Sequence, residues 1–337
     1  MTLERIASLS SEQLSMQLSL GKWYHYQDTL VEQVSLPSDP QGMFSIAFTG
    51  DFNGQQLTNI VQFLAQQQFT VTAICRYQPD PNLTPALCFY SDTAKASINP
   101  LLLNEFAHPH GFQLVQVSKP PSLTNPGLLV MDMDSTAITI ECIDEIARLA
   151  DVYDDVAAVT AQAMAGKLDF SESLHQRVAK LEGIEQSLID ELKSSLPLMP
   201  GVKELCQVLK QHNWYLAIAS GGFVPFAEQV QQLIDLDEVH ANVLEFKDAK
   251  LTGKVLGRIV DAEQKAVVLR NLQQRLSLPM QQTVAIGDGA NDLTMMAAAG
   301  LGVAVHGKAK VVEQAQAAIC QGSLLQLLYL LTIPMAE

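Results

Sequence analysis

The chain has 337 residues, enough by typical domain length for two or three domains, and 48 % of them are hydrophobic, enough for buried cores. Charged residues make up only 17 %, yet they leave a formal net charge of −15 at pH 7. Nucleic acids and anionic membranes attract a basic face, so this charge balance argues against both as partners.

Cysteine usage and the start of the chain indicate a reducing compartment. The five cysteines are odd in number, scattered and without a CxxC pair, which favours buried thiols over disulfides. The N-terminal segment carries Glu4 and polar Ser and Gln residues without an apolar core, so we expect no signal peptide. The apolar run 324–331 is far shorter than the roughly 18–20 residues of a membrane span. We therefore expect a soluble, cytoplasmic protein.

Residues 1–118 predict a small domain that follows a poorly patterned N-terminal segment. Over 1–40 the sequence indicates only a helix near 11–20. The order of elements over 41–118 is β-α-β-β-α-β, which predicts a ferredoxin-like α+β domain. The predicted strands are 44–48, 71–77, 86–90 and 112–117, with helices over 57–64 and from Asn99, where Pro100 follows the N-cap.

The first turn of this domain carries a family resemblance. Gly50-Asp-Phe-Asn-Gly54-Gln-Gln-Leu57 joins its first strand to its first helix. The turn resembles the glycine-containing turn of ACT domains, which are ferredoxin-like and often bind amino acids between paired copies. The resemblance implies an ACT-like domain, and it leaves a homodimer open as the assembly. No cluster of catalytic residue types occurs in this part of the sequence.

Three prolines within Ser118–Pro126 predict a linker over 119–126, and the pattern changes after it. Residues 127–337 contain continuous apolar runs typical of strands buried on both faces. Helical patterns alternate with these runs, which predicts an α/β fold with a doubly wound parallel sheet. A helical block at about 145–200 predicts a helical cap above the sheet, and 242–255 predicts a hairpin. The apolar runs are 127–131, 216–219, 283–286 and 303–305.

Polar residues follow two of these runs, where a parallel sheet binds its ligands. Asp132-Met-Asp134-Ser-Thr136 follows the first run, and its two carboxylates can face one crevice. A polar turn that caps the next helix is the more common explanation for such a pair. Ser220-Gly221-Gly222-Phe223 follows the second run, where glycines let the backbone approach a ligand and a helix N-terminus offers N–H groups to an anion. A simple strand-to-helix turn would look the same.

Two further signals come later in the chain. Lys265 lies at the start of a helical pattern, where a lone Lys is usually solvated. Gly287-Asp288-Gly-Ala-Asn291-Asp292 follows a later strand and offers oxygen ligands of the kind that Mg²⁺ prefers, although a turn with a helix cap is the alternative. Each signal is ambiguous alone, but four of them in this order at strand ends predict one site.

The ordered set DxDxT, Ser, Lys and GDGxxD resembles the haloacid dehalogenase superfamily. The segments 132–145, 164–170, 220–223 and 287–292 resemble its phosphoserine phosphatases, and the resemblance extends from about Pro126 to Ala318. It implies a haloacid dehalogenase-like core and hydrolysis of O-phospho-L-serine, the last step of serine biosynthesis, through an aspartyl-phosphate with Mg²⁺ as cofactor.

The same resemblance implies a role for each site residue. Asp132 would be the nucleophile, and Asp134 the acid that protonates the leaving serine oxygen and then the base that activates water. Mg²⁺ would lie between Asp132, the backbone carbonyl of Asp134 and Asp288, with Asp292 in or near its ligand shell. The substrate-binding residues would be Ser220, Gly221 and Lys265 for the phosphoryl oxygens, Glu141 for the ammonium, Arg177 for the carboxylate, Phe170 packed over the substrate, and Asn291.

Local sequence patterns give a prediction for the cap residues Phe170 and Arg177 that does not depend on the family resemblance. Asp169 with Glu172 three residues later predicts a helix start, and Phe170, Leu174 and Arg177 then fall on one stripe of that helix. That stripe can face the strand ends. The ordinary alternatives are a surface ion pair for Arg177 and packing within the cap for Phe170.

Two other functions remain open from the sequence. A phosphotransferase, or a phosphatase for another small phosphorylated metabolite, would use the same motifs. A non-catalytic amino-acid sensor is disfavoured, because a binding module needs no nucleophile beside an acid.

Overall fold

Two β-sheets organise the part of the chain that the computed structural model describes, residues 3–26, 30–34, 36, 42–93 and 97–334. The predicted N-terminal segment 1–40 therefore lies partly outside the described residues. The first sheet has six strands and comes from residues before 119, whereas the second has seven and comes from residues after 127.

The first sheet contains the predicted β-α-β-β-α-β series and two strands that the sequence did not predict. Its order is β2-β1-β4-β5-β3-β6, and each pair of neighbouring strands is antiparallel. The second helix of the series begins as predicted, with Asn99 as N-cap and Pro100 after it. The elements are α1 (Leu3–Ala7), α2 (Ser11–Gln17), β1 (Trp23–Tyr26), β2 (Leu30–Val34), β3 (Met43–Phe48), α3 (Gly54–Gln66), β4 (Ala73–Tyr77), β5 (Ala86–Ser91), α4 (Pro100–Ala107) and β6 (Gln113–Ser118).

The second sheet confirms the predicted α/β fold. Its order is β10-β9-β8-β7-β11-β12-β13, parallel except for the antiparallel hairpin strand β10. The elements are β7 (Leu128–Met131), α5 (Cys142–Leu149), α6 (Tyr153–Met164), α7 (Phe170–Ala179), α8 (Gln186–Ser194), α9 (Val202–Gln211), β8 (Tyr215–Phe223), α10 (Val224–Ile234), β9 (Glu238–Lys247), β10 (Lys250–Leu256), α11 (Ala262–Arg275), β11 (Thr283–Gly287), α12 (Leu293–Ala298), β12 (Leu301–Val305), α13 (Ala309–Gln314), β13 (Ala317–Ile319) and α14 (Leu328–Leu331).

Burial on both faces explains the continuous apolar runs in this sheet. Leu129 and Met131 of β7 pack with α9 and α10 on one face, while Leu128 and Val130 pack with α11, α12 and α13 on the other. Because β7 lies between β8 and β11, the carboxyl ends of these three strands are neighbours. The motifs that follow them are therefore brought to one edge of the sheet.

Helices α5–α8 form the inserted cap. The chain enters and leaves it through two antiparallel segments that meet at Ile138 and Leu198. A hydrogen bond from Thr139 N to Pro197 O (3.0 Å) and another from Met199 N to Ala137 O (2.9 Å) hold the segments together. The cap helices span 142–194, close to the predicted block of about 145–200.

Both faces of the first sheet are buried. Alternate residues of β3 divide between them, with Met43 and Ala47 packing towards α3 and α4. Phe44, Ile46 and Phe48 belong instead to the core that contains the C-terminal segment Leu324–Leu331. The first sheet is thus packed against the second half of the chain rather than tethered to it by the linker alone.

Tyr329 is the central contact between the first sheet and the C-terminal segment. It is fully buried and stacks on Phe48, with ring centroids 4.6 Å apart. Its hydroxyl donates to Thr84 O at 2.6 Å, and the hydroxyl of Tyr77 donates to its carbonyl. Trp23 Nε1 adds a hydrogen bond to Pro334 O at 2.7 Å.

The described helices are all too short to cross a bilayer as an apolar span. The longest of them, α11, has 14 residues.

We predict that Tyr329→Ala lowers the free energy of unfolding by about 3–5 kcal/mol, because it empties a buried aromatic site between the two sheets. Urea titration of the full chain measures the change. Tyr329→Phe is the matched control, since it keeps the ring and loses only the hydrogen bond to Thr84, at a cost of about 1 kcal/mol. Equal, small losses for both variants would contradict the importance of this contact.

Candidate active site

A cavity of about 500 Å³ lies between the strand-end edge of the second sheet and the cap. Lys265 and Asp292 do not line it and lie buried behind its wall. The other residues predicted for the site do line it, and they are Asp132, Asp134, Glu141, Phe170, Arg177, Ser220, Gly221, Asp288 and Asn291.

Lys265 is fully buried and joins two of the predicted motifs. Its ammonium donates to Asp292 Oδ1 at 2.7 Å and pairs with Asp132 Oδ2 at 2.9 Å. Burial by itself would lower the pKa of Lys265, but the charges of Asp132 and Asp292 raise it above its ordinary value. The amine therefore stays charged, and the solvated position that is usual for a lone Lys does not apply.

Asp132, Asp288 and Asp292 form a carboxylate cluster whose ligand oxygens all lie within 4.8 Å of one another. Burial raises the pKa of Asp288 to about 6 and that of Asp292 to about 7, and in both cases the charge of Asp132 adds to the effect. Three carboxylates face one ammonium, so the site carries an excess of negative charge. This donor set fits a hard divalent cation such as Mg²⁺.

The members of this cluster differ in what their oxygens already bind. Asp292 accepts from Lys265 with one oxygen and from Gly289 N with the other, at 3.0 Å. Asp288 accepts from Thr136 Oγ1 at 3.3 Å and faces the cavity. Asp132 accepts from Met133 N at 2.7 Å and pairs with Lys265, and it lines the cavity as Asp288 does. Asp292 therefore orients Lys265 and the loop from behind the wall, whereas Asp132 and Asp288 are the carboxylates that a ligand in the cavity can reach.

The first glycine of the GDG motif is required by the position of Asp292. A Cβ added to Gly287 would lie 2.3 Å from Asp292 Cγ and 2.5 Å from its Cβ, far below a van der Waals contact. A Cβ added to Gly289 would lie 2.1 Å from Asn291 Oδ1, so a larger residue there would displace the Asn291 side chain.

Asp134 is suited to proton transfer. Its Oδ1 is shut off from water and has no hydrogen-bond partner among the described residues. Burial, together with the negative charge of Glu141, raises the pKa of Asp134 to about 8. A carboxyl group that holds its proton near neutral pH can act as a general acid.

The turn after β8 lies against both Asp134 and the cap. Ser220 is buried, and its Oγ accepts a hydrogen bond from Gly222 N at 2.9 Å. A Cβ on Gly222 would lie 3.0 Å from Asp134 Oδ2, and one on Gly221 would lie 2.8 Å from Phe170 Cζ. The two glycines therefore allow the acid and the cap ring to approach the turn.

Helix α7 presents the predicted stripe to the cavity. It begins after Asp169, which forms a capping box with Glu172, as the sequence predicts. Phe170, Leu174 and Arg177 all line the cavity.

Arg177 is the unpaired cation of this site. Its Nε is buried without a hydrogen-bond partner, and the guanidinium makes no ion pair with a described residue. Burial lowers the pKa of Arg177, and the charges of Asp144 and Glu141 oppose that effect. The surface ion pair weighed as an alternative is therefore absent from the described structure, and the guanidinium is available to an anionic ligand.

Glu141 directly precedes α5, the first helix of the cap, and it lines the same cavity. Its Oε1 accepts from Ser135 Oγ at 2.7 Å. Ser135 has a left-handed backbone with φ of 55°, which directs its side chain back towards Glu141.

Some lining residues carry no signal in the sequence. Apolar and small side chains from the cap have no chemical signature, so only the packing of the cap identifies them. Thr136 stood within a recognised motif but was not predicted to contact Asp288. The additional lining residues are Ile143, Thr160, Ala163, Leu168, Leu174, Gly222, Phe223, Gly289 and Ala290.

Comparison with known proteins agrees with this geometry. The sequence profile of the haloacid dehalogenase-like hydrolases matches residues 127–300. The chain belongs to that family. It is 52 % identical over 199 residues to a phosphoserine phosphatase of Vibrio cholerae, covering 59 % of this chain and 61 % of that protein, less than two thirds of its length.

Two solved structures of family members resemble this one. A crystal structure of a probable phosphoserine phosphatase from Vibrio cholerae superposes with a TM-score of 0.73 at 34 % identity, covering 94 % of this chain and 96 % of that one. A substrate-bound phosphoserine phosphatase complex superposes with a TM-score of 0.58 at 34 % identity, covering 61 % of this chain and 98 % of that one. The first likeness includes the N-terminal sheet, and the second is shorter.

We predict that Lys265→Met lowers the free energy of unfolding by about 3–5 kcal/mol, because it leaves Asp132 and Asp292 buried without their counter-charge. Urea unfolding in metal-free buffer measures the loss. Lys210→Met is the control, since its pair with Asp237 is partly exposed and is worth at most about 1 kcal/mol.

The double variant Lys265→Met, Asp292→Asn should recover part of the stability that Lys265→Met loses, because it also removes one of the two carboxylates that are left without a counter-charge. If the double variant is no more stable than the single one, the charge explanation is wrong.

Proposed function

We propose that this chain is a Mg²⁺-dependent phosphoserine phosphatase that hydrolyses O-phospho-L-serine to L-serine and phosphate. The observation that carries the proposal is the guanidinium of Arg177, whose Nε is buried without a hydrogen-bond partner among the described residues, in the same cavity as the nucleophile candidate Asp132. A phosphate-transfer site alone does not need a second anion-binding group on the cap. The names of the relatives that the chain resembles support the same substrate.

Mg²⁺ would be held by Asp132, Asp288 and the backbone carbonyl of Asp134, with Asp292 behind them. When bound, the ion neutralises the negative charge that would otherwise keep a carboxylate from approaching a phosphate. The excess of carboxylates over cations in the site supports this assignment.

In the first step, a carboxylate oxygen of Asp132 attacks phosphorus while the bond from phosphorus to the serine oxygen breaks. Asp134 gives its proton to the departing oxygen, so serine leaves as a neutral alcohol. The Ser220 oxygen already accepts from Gly222 N, which leaves its hydroxyl hydrogen free for a phosphoryl oxygen. The Gly221 N–H and Lys265 complete the cradle for the transferred group.

In the second step, Asp134 removes a proton from water, whose oxygen attacks phosphorus. The bond between phosphorus and Asp132 breaks, which releases phosphate and restores the Asp132 carboxylate. One carboxyl thus serves as acid and then as base, and its raised pKa suits both roles near neutral pH.

The amino-acid end of the substrate explains the remaining charged residues. The planar guanidinium of Arg177 can bind a carboxylate with two parallel hydrogen bonds. Glu141 would bind the ammonium, and Phe170 would cover the substrate from the cap. Asn291, at the loop that follows β11, would contact the substrate from the opposite wall.

We also propose that residues 127–337 form the catalytic unit and that 41–118 form an ACT-like accessory domain joined by 119–126. The described cavity residues all come from the catalytic unit, which supports this division. The five cysteines carry no disulfide, which supports the cytoplasm as the compartment.

We predict that Asp132→Asn lowers the rate of phosphate release from L-phosphoserine by roughly 10⁴-fold or more, since the amide cannot form the acyl phosphate. A phosphate assay with Mg²⁺ and circular dichroism of the variant measure activity and folding separately. Asp190→Asn, on the exposed face of α8, is the control and should keep full activity. Substantial turnover by Asp132→Asn would refute the covalent route.

We predict that Arg177→Ala lowers kcat/KM for phosphoserine more than kcat/KM for an aryl phosphate, by a further factor of about ten to a hundred. The reason is that the variant loses a charged hydrogen-bond partner of the substrate carboxylate, which the aryl phosphate lacks. Arg148→Ala changes a cap arginine that pairs with Glu145 on the surface, so it should leave the ratio of the two substrates unchanged. Equal losses on both substrates after Arg177→Ala would mean that Arg177 acts in catalysis or folding instead.

A further inference from the structure

Asn242 lies on β9 next to the phosphoryl-binding turn, and its side chain is buried with both ends in use. Its Nδ2 donates to Gly221 O at 2.8 Å, and its Oδ1 accepts from Val260 N at 2.8 Å. A backbone N–H can only donate and a carbonyl can only accept, so these partners determine which end of the amide is which.

The irregular pairing of β8 and β9 explains why a side chain is needed there. Ala219 pairs with His240 and Phe223 with Asn242, so β8 advances four residues while β9 advances two. The extra residues bulge out of the ladder, and their backbone groups lose strand partners. The amide of Asn242 supplies one of the missing bonds, to Gly221 O.

This bond controls the orientation of Ser220 through one peptide unit. In a trans peptide the C=O and the following N–H point in opposite directions. Asn242 holds the Gly221 carbonyl on one side, and the Gly222 N–H donates to Ser220 Oγ on the other. Rotation of this peptide would remove the hydrogen bond that orients the Ser220 hydroxyl.

The other end of Asn242 reaches the helix that carries Lys265. Val260 directly precedes Asp261, the N-cap of α11, whose side chain accepts from Gln264 N. Asn242 therefore joins the turn of Ser220 to the start of the helix of Lys265. Both of these residues belong to the proposed cradle for the phosphoryl oxygens.

We propose that Asn242 is a positioning residue for phosphoryl binding, which sets the Ser220 hydroxyl through the Gly221–Gly222 peptide and sets its spacing from Lys265 through Val260. The inference rests on the proposed phosphatase function, because it assigns Asn242 to the phosphoryl end of that site. The role of Asn242 therefore differs from the roles of Arg177 and Glu141, which are proposed to bind the amino-acid end of the substrate.

Asn242→Asp is the informative variant, because it keeps the shape and the acceptor for Val260 N but removes the donor to Gly221 O. It should lower kcat for phosphoserine and for an aryl phosphate by the same factor, about ten- to a hundredfold. Gln231→Glu is the matched control, since Gln231 Nε2 also donates to backbone carbonyls, of Leu236 and Asp237, away from the cavity. It should leave kcat unchanged.

A double-mutant cycle with Ser220→Ala distinguishes positioning from general structural support. If Asn242 acts through Ser220, Asn242→Asp should cost little further activity once the hydroxyl is absent. The same factor of loss in both backgrounds would overturn the proposal. If Asn242→Asp does not fold, Asn242→Ala takes its place in the cycle, because it also removes the donor to Gly221 O and adds no buried charge.

Binding of inorganic phosphate, measured by calorimetry with Mg²⁺, provides a readout that needs no turnover. Asn242→Asp should weaken phosphate binding about tenfold in the wild-type background and not in the Ser220→Ala background. A wild-type chain that cleaves aryl phosphate but not phosphoserine would refute the substrate assignment and leave this test intact. Unchanged phosphate affinity in Asn242→Asp would refute the positioning role.

Discussion

Lys265 lies buried between Asp132 and Asp292, and the arrangement of the site depends on this charge contact. The ammonium contacts Asp132, directly after β7, at 2.9 Å and Asp292, in the loop after β11, at 2.7 Å, and its charge favours the ionised form of Asp292 against the effect of burial. It does not balance the whole cluster, because Asp288 adds a third carboxylate. This excess of carboxylates gives the cluster a donor set that fits a hard divalent cation. In a chain of net charge −15, the positive charge near this cavity comes from Lys265 beside Asp132 and from Arg177 on the cap.

The architecture separates the residues proposed to select the substrate from those proposed to transfer the phosphoryl group. The sheet supplies Asp132, Ser220 and Asp288 from strand ends, whereas the cap supplies Phe170 and Arg177 from α7. The two parts meet where the ring of Phe170 lies against Gly221, so the cavity exists only when the cap is packed on the sheet. The paired segments at Ile138 and Leu198 are the connection through which the cap is held.

The first sheet also packs against the second half of the chain, through the C-terminal segment. Tyr329 stacks on Phe48. In the same C-terminal segment, Leu324 N donates a hydrogen bond to Pro200 O at 2.8 Å, at the point where the chain leaves the cap. One short stretch of chain therefore contacts the first sheet and the base of the cap. The linker prolines alone would not have indicated this, because a boundary in the sequence says nothing about the contacts that form across it.

Local patterns in the sequence determined most of the elements and the motif residues. Buried parallel strands read as unbroken apolar runs, and the capping pairs at Asn99 and Asp169 act within a few residues, so both signals survive without any tertiary information. The strands Trp23–Tyr26 and Leu30–Val34 were not predicted, because such short strands carry little alternation. Trp23–Tyr26 forms by pairing with Ala73–Tyr77, and Leu30–Val34 then pairs with Trp23–Tyr26 at the edge of the sheet. Tertiary structure alone decided the state of the polar groups. The burial of Lys265, the pairing of Arg177 and the hydrogen-bond partners of Asn242 depend on contacts with residues distant in the chain. Local sequence patterns carry no information about the energies of those contacts.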